Sequence, residues 1–413
     1  MEKRQSKTPL IRFPEFKDAW EHKRLNELLY EAKKRNEDLK YGKDDVLSVS
    51  GELGIVNQIE HLGRSYAGVS VHNYHVVEVG DIVYTKSPLK ANPFGIIKLN
   101  KGKAGIVSTL YAVYKVNKQT AYGPFIDYYF SLDANTNRYL RPLVKKGAKN
   151  DMKINNAYVL HDRIFAPTIP EQKRIAAFFT VLDKKIADLK QKKALLEQYK
   201  KGVMQKLFSQ ELRFKDDKGK DFPKWEKKKL GEVSDKIMYG VNAAAIDYDG
   251  KNKYLRITDI DENSRTFCPN PLTSPDGEIE DKYRLKVGDI VFARTGASVG
   301  KSYLYNENDG NLFFAGFLIK FSITKANPYF IFCQTLLGAY NKWVQMMSKR
   351  SGQPGINAEE YKTLTILLPC IEEQNKIANF LSTIDEKIRR TENQIQQSLQ
   401  YKKGLLQNMF ING

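Results

Sequence analysis

The spacing of apolar residues in the middle of the chain predicts a long helix with one narrow apolar seam. Between Glu171 and Phe208, apolar residues recur at alternating intervals of four and three, which is the period of a coiled coil. The seam consists of Ile175, Phe179, Leu182, Ile186, Leu189, Leu196, Val203 and Leu207, with Lys193 and Lys200 in its two gaps. At 1.5 Å per residue, such a helix would be roughly 55 Å long.

A second stretch, from Glu373 to Phe410, repeats the first at a constant offset of 202 residues and without gaps. The two stretches share 15 identities over 38 positions, and a proline stands at the same distance before each. The second seam consists of Ile377, Leu381, Ile384, Ile388, Ile395, Leu405 and Met409. This register indicates an internal duplication, and each seam is best covered by the other helix. The alternative is two surface helices, each packed on its own domain.

The remaining sequence predicts two globules of mixed helix and strand. Short apolar or alternating runs are separated by Gly, Asn and Asp, as in strands joined by turns. The runs VGDIVY (79–84) and VGDIVF (287–292) match between the two halves. We therefore predict an α+β chain in which two mixed α/β domains alternate with two long antiparallel coiled-coil helices, a pseudo-two-fold internal repeat. The predicted segments are 1–165, 166–210, 211–367 and 368–413.

The charge balance favours an anionic polymer as partner. The 413 residues include 67 Lys and Arg against 48 Asp and Glu, a formal net charge of +19. An anionic membrane is the rival partner, but the narrow seams lack the wide apolar face that lies on lipid. Three cysteines suggest neither a disulfide framework nor a zinc site. The absence of a signal-peptide pattern and of a run of about 18 apolar residues favours the cytoplasm.

The order globule, helix, globule, helix resembles the specificity (S) subunit of type I restriction-modification enzymes. The features that carry the resemblance are the duplicated P-x-x-x-E-Q-x-x-I start of each long helix, the twin VGDIV strands and the Gly/Gln loop before each helix. The resemblance covers essentially the whole chain. It implies that each globule is a target recognition domain for one half of a split double-stranded DNA sequence, and that the helices pair, set the spacing between the half-sites and dock methyltransferase (M) subunits.

The same resemblance implies a non-catalytic chain within a larger enzyme. Two M subunits would transfer methyl groups from S-adenosylmethionine to adenine, and two restriction (R) subunits would add an ATP-dependent nuclease. S-adenosylmethionine, ATP and Mg would therefore be bound by partner subunits, and this chain would need no cofactor or metal of its own.

Sequence-specific readers place Arg or Lys against guanine and Asn or Gln against adenine, while Lys, Ser and Thr contact phosphates. Two regions in each half carry such residues. The segments that follow the VGDIV strands contain Lys86, Ser87, Lys90, Arg294, Thr295, Ser298 and Lys301. The loops before the long helices contain Lys145, Lys146, Lys149, Asn150, Lys153, Lys349, Arg350, Ser351 and Gln353. For each residue singly, a solvated surface side chain is the alternative.

Three sequence patterns approach catalytic motifs without matching them. Residues 296–302, GASVGKS, have three residues between the glycines where a phosphate-binding loop has four. Asn92-Pro-Phe and Asn327-Pro-Tyr lack the second proline of the amino-methyltransferase motif. The acidic residues of 276–282 are too closely spaced for a nuclease metal site. Two other functions stay open at this point: a coiled-coil scaffold or RNA-binding protein, and a standalone metal-dependent nuclease.

Overall fold

Two continuous helices occupy the stretches in which the seam pattern predicts them. The structure, a computed structural model, describes residues 6–68, 70–146 and 152–411. In chain order its helices are α1 (Leu25–Leu28), α2 (Gln58–Leu62), α3 (Gly123–Tyr129), α4 (Asp133–Leu140), α5 (Ile169–Phe208), α6 (Pro328–Gln334), α7 (Gly338–Met347), α8 (Ala358–Lys362) and α9 (Ile371–Met409). Within the described ranges, no helix combines the length and the apolar character that a membrane span requires.

The chain divides into two units, and each unit contains part of both long helices. Unit 1 comprises residues 1–191 and 392–413, and unit 2 comprises residues 192–391. The units divide α5 and α9 because the seam residues at the ends of these helices belong to the cores of the globules. Ile175 and Phe179 lie in one core with Leu406 and Met409 of α9. The four predicted segments follow the elements and therefore differ from the two units.

Unit 1 contains a four-stranded antiparallel sheet in the order β3-β10-β7-β8. The strands of the unit are β1 (Ser6–Lys7), β2 (Trp20–Arg24), β3 (Leu29–Glu31), β4 (Leu47–Ser50), β5 (Gly54–Asn57), β6 (His75–Val77), β7 (Ile82–Thr85), β8 (Ile96–Leu99), β9 (Gly105–Val107), β10 (Tyr111–Val116), β11 (Lys145–Lys146), β12 (Met152–Lys153) and β13 (Arg163–Ala166). All four residues of β7 are buried, which accounts for its uninterrupted apolar sequence.

Unit 2 repeats this sheet in the order β15-β22-β19-β20, again antiparallel. Its strands are β14 (Glu226–Lys229), β15 (Ser234–Tyr239), β16 (Ala245–Asp247), β17 (Lys253–Leu255), β18 (Thr273–Pro275), β19 (Asp289–Ala293), β20 (Ser302–Leu304), β21 (Leu312–Phe314), β22 (Leu318–Ile323) and β23 (Thr365–Leu368). The twin VGDIV runs occupy β7 and β19, at the same place in the two sheets. The duplication therefore extends from the long helices into the globules.

The Glu-Gln pair at the start of each long helix fixes that helix to its globule. In unit 2, buried Glu373 accepts hydrogen bonds from Arg213 Nε (3.1 Å), Arg213 Nη2 (2.7 Å) and Trp225 Nε1 (3.0 Å). Gln374 accepts a hydrogen bond from the Asn327 backbone (2.9 Å) and donates one to the Pro369 carbonyl (2.7 Å). A buried carboxylate is stable only when its charge and its lone pairs are satisfied, as they are here.

The first copy makes the same contacts in unit 1. Glu171 accepts hydrogen bonds from Arg12 Nε and Nη2, both at 2.7 Å, and from Trp20 Nε1 at 3.1 Å. Gln172 accepts from the Tyr122 backbone at 2.8 Å and donates to Pro167 at 2.9 Å. The repeated sequence Glu-Gln is therefore explained by a repeated anchoring function.

Within each unit the two long helices run antiparallel. In unit 1, Lys402 of α9 bonds to Asp183 of α5, and Tyr128 also donates to Asp183 at 2.8 Å. In unit 2 the partners exchange roles, since Lys200 of α5 bonds to Asp385 of α9 at 2.6 and 2.7 Å. Lys200 and Lys402, which interrupt the apolar seams of α5 and α9, therefore form ion pairs with the opposite helix, and a polar residue of this kind fixes the register of a coiled coil. Lys193, in the other gap of the α5 seam, lies 3.8 Å from Glu197 of its own helix.

All the predicted seam positions of α5 and α9 are buried or half-buried. In unit 2, Leu207 of α5 lies in one core with Ile377, Leu381 and Ile384 of α9. A narrow apolar seam is enough to hold the antiparallel helices together, because each helix covers the seam of the other. The predicted α+β class, with two mixed globules and two long helices, is confirmed.

The segment that follows each long helix makes one further matching contact. In unit 2 the Leu212 backbone donates a hydrogen bond to the Lys206 carbonyl near the end of α5 (3.1 Å). In unit 1 the Ile11 backbone donates to the Asn408 carbonyl near the end of α9 (3.0 Å). Residue 11 thus occupies beside α9 the place that residue 212 occupies beside α5.

Candidate functional site

A glycine-aspartate turn lies at the start of each VGDIV run, and the predicted DNA-binding residues follow the end of the strand that it opens. Gly80 and Gly288 both have φ of +92°, a conformation that L side chains rarely adopt. Asp81 Oδ2 accepts a hydrogen bond from the Glu78 backbone (2.8 Å), and Asp289 Oδ2 accepts one from the Lys286 backbone (2.9 Å). Burial raises the pKa of Asp81, while Lys115 at 2.9 Å acts in the opposite direction. These pairs are turn residues, as their sequence suggests.

In unit 2 the structure brings the two predicted DNA-binding regions together. Gly296 N donates to the Pro354 carbonyl at 3.0 Å, and Ile356 N donates to the Arg294 carbonyl at 2.9 Å. A bridge also joins Thr295 to Gly355. Two loops that are separated in the sequence by residues 301–347 thus form one surface, which we call the loop pair and define as residues 294–300 and 348–357.

Arg294 is the first residue after β19, and its guanidinium lies over the ring of Tyr239 at 5.1 Å from the ring centre. Its Nε is buried and has no hydrogen-bond partner among the described residues. A cation over an aromatic face is attracted by the negative face of the ring. Within the described part of the chain, Arg294 has no carboxylate partner.

The second loop contributes exposed polar groups. Lys349, Ser351 and Gln353 are exposed. Gln353 Nε2 is near enough to Gly296 that a Cβ added to this glycine would lie 3.1 Å from it. Arg350 is less available, because it pairs with Glu360 and donates to the carbonyls of Met347 and Lys349.

Lys301 does not belong to this surface, and its prediction as a DNA contact is corrected. Its side chain is 8% exposed, donates to the Ile260 carbonyl at 3.2 Å and pairs with Glu262 at 2.5 Å. Lys301 therefore connects β20 to the 260–262 turn. Ser298, by contrast, is half-buried within the short 3₁₀ turn Gly296–Ser298.

The segment that approaches a phosphate-binding motif has internal partners for its reactive groups. Lys301 is paired as described, and the Ser302 hydroxyl bonds to the Thr335 hydroxyl at 2.7 Å. Gly300, with φ of +86°, lies so close to α7 that an added Cβ would be 2.6 Å from Val344. The glycines of this segment are thus explained by turn geometry and packing.

In unit 1 the position that corresponds to Arg294 is occupied by Lys86, the first residue after β7. Burial lowers the pKa of Lys86, while nearby Glu31 raises it and nearby Arg35 lowers it. Glu31 also accepts a hydrogen bond from Asn156 Nδ2 at 2.8 Å. Ser87 and Lys90 are exposed.

The other predicted residues of unit 1 lie in or beside a short hairpin. Lys145 and Lys146 form β11, which pairs antiparallel with β12, and Lys153 stands opposite Lys145. Lys149 and Asn150 lie outside the described residues.

Sequence reasoning did not single out Tyr239 or Arg265. Arg265 Nη1 is buried without a hydrogen-bond partner among the described residues. Burial raises the pKa of Tyr340, whereas the positive charge of Arg265 lowers it, and the Tyr340 hydroxyl donates to the Gly300 carbonyl at 2.7 Å. Tyr340 thus contacts the loop pair at Gly300. No sequence motif points to Tyr239, because its contacts, Arg294 and Ala358, are distant in sequence. No motif points to Arg265 either.

The long helices also present aromatic residues to solvent. Tyr199 and Tyr401 are 53% and 58% exposed, whereas the lysine that follows each of them lies in the seam. Among the described residues, His, Cys, Asp and Glu form no group of three or more that could hold a metal ion.

Residues 223–401 match the family model described as the type I restriction modification DNA specificity domain. The matched range contains the loop pair, Tyr239 and most of α9.

Two curated relatives come from Methanocaldococcus jannaschii. The putative type I restriction enzyme MjaX specificity subunit is 25% identical over 284 residues, which are 65% of this chain and 63% of the relative. The type I restriction enzyme MjaVIII specificity subunit is 27% identical over 266 residues, 61% of each chain. The chain thus spans somewhat under two thirds of the length of the curated relatives it matches.

Solved structures share the fold over nearly the whole chain. The S subunit of a type I restriction-modification system from M. genitalium covers 98% of this chain and is itself covered completely, with a TM-score of 0.61 and 14% identity. A chain from work on complex assembly and conformational transition of the type I R-M system covers 95%, with 97% of that chain covered, a TM-score of 0.52 and 17% identity. This protein is thus similar to type I restriction-modification specificity subunits, in sequence over residues 223–401 and in fold over nearly the whole chain.

Proposed function

We propose that this chain is the non-catalytic subunit that reads DNA for a type I restriction-modification enzyme, with each unit contacting one half of a split double-stranded target. The observation that carries the proposal is the loop pair of unit 2. Backbone hydrogen bonds join the segment of Arg294 and Thr295 to the loop that carries Lys349, Ser351 and Gln353, and these are side-chain types that bind base edges and phosphates.

The charge of the whole chain supports the same ligand. A formal net charge of +19 attracts a polyanion, and neutralising phosphates with Lys and Arg releases counterions from DNA. Arg294 has no carboxylate partner among the described residues, so its charge is available to a ligand.

In this proposal the chemistry is supplied by partners. Two M subunits bind S-adenosylmethionine, and two R subunits bind ATP and Mg. The M subunits dock on the exposed faces of the long helices, where Tyr199 and Tyr401 offer large amphipathic side chains of the kind enriched in interfaces. The helices also set the spacing of the half-sites.

Selection from a random pool of double-stranded DNA tests the recognition function. The full-length chain is used alone and together with co-expressed M subunits. We expect enrichment of two short sequence blocks at a fixed spacing. Arg294→Ala should lower the preference at one base pair of one block by about 1–3 kcal/mol. The matched control is Lys218→Ala, because Lys218 is an exposed lysine of the 209–223 segment.

Failure to enrich any block would refute DNA reading and favour the scaffold or RNA-binding alternative, which a parallel RNA pool distinguishes. Cleavage of DNA by the purified chain with Mg alone would instead favour the nuclease alternative.

Insertion of one heptad into both long helices tests the spacing function. Seven residues preserve the seam period and lengthen each helix by about 10 Å. With a rise of about 3.4 Å per base pair, the gap between the two blocks should grow by about three base pairs. An unchanged gap would show that the helices do not set it.

A further inference from the structure

The guanidinium of Arg294 lies against an aromatic ring and has no carboxylate partner among the described residues. It lies 5.1 Å from the centre of the Tyr239 ring, and its Nε is buried without a hydrogen-bond partner among the described residues. Arg350 of the same surface, by contrast, pairs with Glu360. An arginine that is desolvated on one side and unpaired on the other is suited to a ligand that offers acceptors at its outer edge.

The Tyr239 ring is itself fixed at both ends. Its backbone ends β15, where Tyr239 pairs with Ile319 of β22. Its hydroxyl accepts a hydrogen bond of 3.1 Å from the backbone of Ala358, the first residue of α8. The ring is 39% exposed, so one part of it faces solvent while both ends are anchored.

The backbone of Arg294 is fixed as well. Its N–H donates to the Phe317 carbonyl at 3.1 Å, and its carbonyl accepts from Ile356 at 2.9 Å. Since the backbone is fixed by two hydrogen bonds and the guanidinium lies 5.1 Å from the Tyr239 ring centre, the side chain loses little conformational freedom when it binds a ligand.

We propose that Tyr239 is a positioning residue that holds Arg294 so that its guanidinium donates two hydrogen bonds to O6 and N7 of one guanine in the half-site read by unit 2. This inference rests on the proposed DNA-reading function. Guanine offers two adjacent acceptors in the major groove, and the guanidinium fork matches them. A phosphate contact would need the charge but not this fixed orientation of the fork.

Unit 1 lacks this arrangement. Lys86 stands in the place of Arg294, and its ammonium group has no planar fork. The first block should therefore be insensitive to every substitution at residue 239, and it serves as an internal control for folding and for general DNA affinity.

The test measures base preference by pool selection with the full-length chain and its M subunits, using three variants. Tyr239→Leu removes the ring, and Arg294→Lys keeps the charge without the fork. Both should lower the preference for guanine at one and the same base pair by about tenfold or more, with the first block unchanged. Tyr239→Phe keeps the ring and loses only the hydroxyl, so it should retain most of the preference.

Three results would overturn the inference while leaving the proposed function intact. They are an unchanged guanine preference in Tyr239→Leu, an unchanged preference in Arg294→Lys, and a uniform loss of affinity for all sequences in either variant. If Tyr239→Leu fails to fold, as judged by thermal unfolding and loss of the first block, Arg294→Lys still decides whether the fork is needed. If the unsubstituted chain enriches no block, the proposed function itself has failed.

Discussion

Replacing Glu373 by Gln tests how firmly each long helix is anchored to its globule. The buried carboxylate receives two hydrogen bonds from Arg213 and one from Trp225. Glutamine keeps the volume, but it offers one acceptor oxygen and turns an NH₂ group toward the donors. Removing one partner of a buried ion pair costs about 3–5 kcal/mol. Because the Arg213 side chain is 25% exposed and can be rehydrated, we expect the lower end, about 3 kcal/mol.

Urea unfolding followed by tryptophan fluorescence measures this loss, since Trp225 lies at the site. A loss of about 3 kcal/mol corresponds to a melting temperature roughly 6–12 °C lower for a unit of this size. The matched control is Glu372→Gln, because the neighbouring Glu372 is exposed and its replacement should change stability by less than about 0.5 kcal/mol. Glu171→Gln should reproduce the loss in unit 1.

The double variant Glu373→Gln with Arg213→Met separates anchoring from packing. Removing the cation as well relieves its unpaired charge, so the double variant should be destabilised by less than the two single variants added together. The anchoring explanation would be refuted if Glu373→Gln behaved like Glu372→Gln, or if the two single effects added without coupling.

Three other predictions concern stability and connectivity. Burial lowers the pKa of His75 to about 4, so the stability that its neutral form contributes is lost as the pH falls from 6.5 toward 4. In urea unfolding, unit 1 should be about 1 kcal/mol less stable at pH 5.5 than at pH 7.5. His75→Phe should remove that share of the pH dependence. Asp385→Asn, which breaks the partly exposed ion pair between the long helices, should cost about 1 kcal/mol in the same assay, and no change would mean that the pair does not stabilise the helix register. Because Ile11 lies beside Asn408, a permuted chain that joins the two termini by a short linker and opens within 215–221 should fold with an unchanged circular dichroism spectrum, whereas an unfolded product would contradict the equivalence of the two junctions.

Periodicity alone was enough to predict the long helices and their seams, because a seam is a local, repeating property of the sequence. The lysines in the seam gaps could be located but not explained from sequence, since Lys200 and Lys402 meet carboxylates of the opposite helix nearly two hundred or more residues away. Contacts between residues that are far apart in sequence also limit how well the candidate site can be predicted. The sequence predicts Lys301 as a DNA contact. Its burial depends on Glu262 and Ile260, and no sequence spacing indicates those contacts.

The loop pair illustrates the same limit from the other side. Each of its two loops could be singled out by composition, because Gly, Ser and Arg occur in both. That the loops touch is decided by backbone hydrogen bonds between residues 294–296 and 354–356, and these depend on the path of the whole unit. Tyr239 was missed for this reason, since only the folded sheet brings it beneath Arg294.

The pairing of β2 with β13, and of β14 with β23, has a consequence for how new specificities arise. These antiparallel strands bring the chain into each globule and out again side by side, so Arg24 stands opposite Arg163 and Lys229 opposite Thr365. The segment between the two paired strands of each globule could therefore be exchanged as one unit, while the anchored long helices stay unchanged. Under the proposed function, recombination at these two strand pairs would therefore change the recognised DNA sequence in one step, without rebuilding the scaffold that holds the globule.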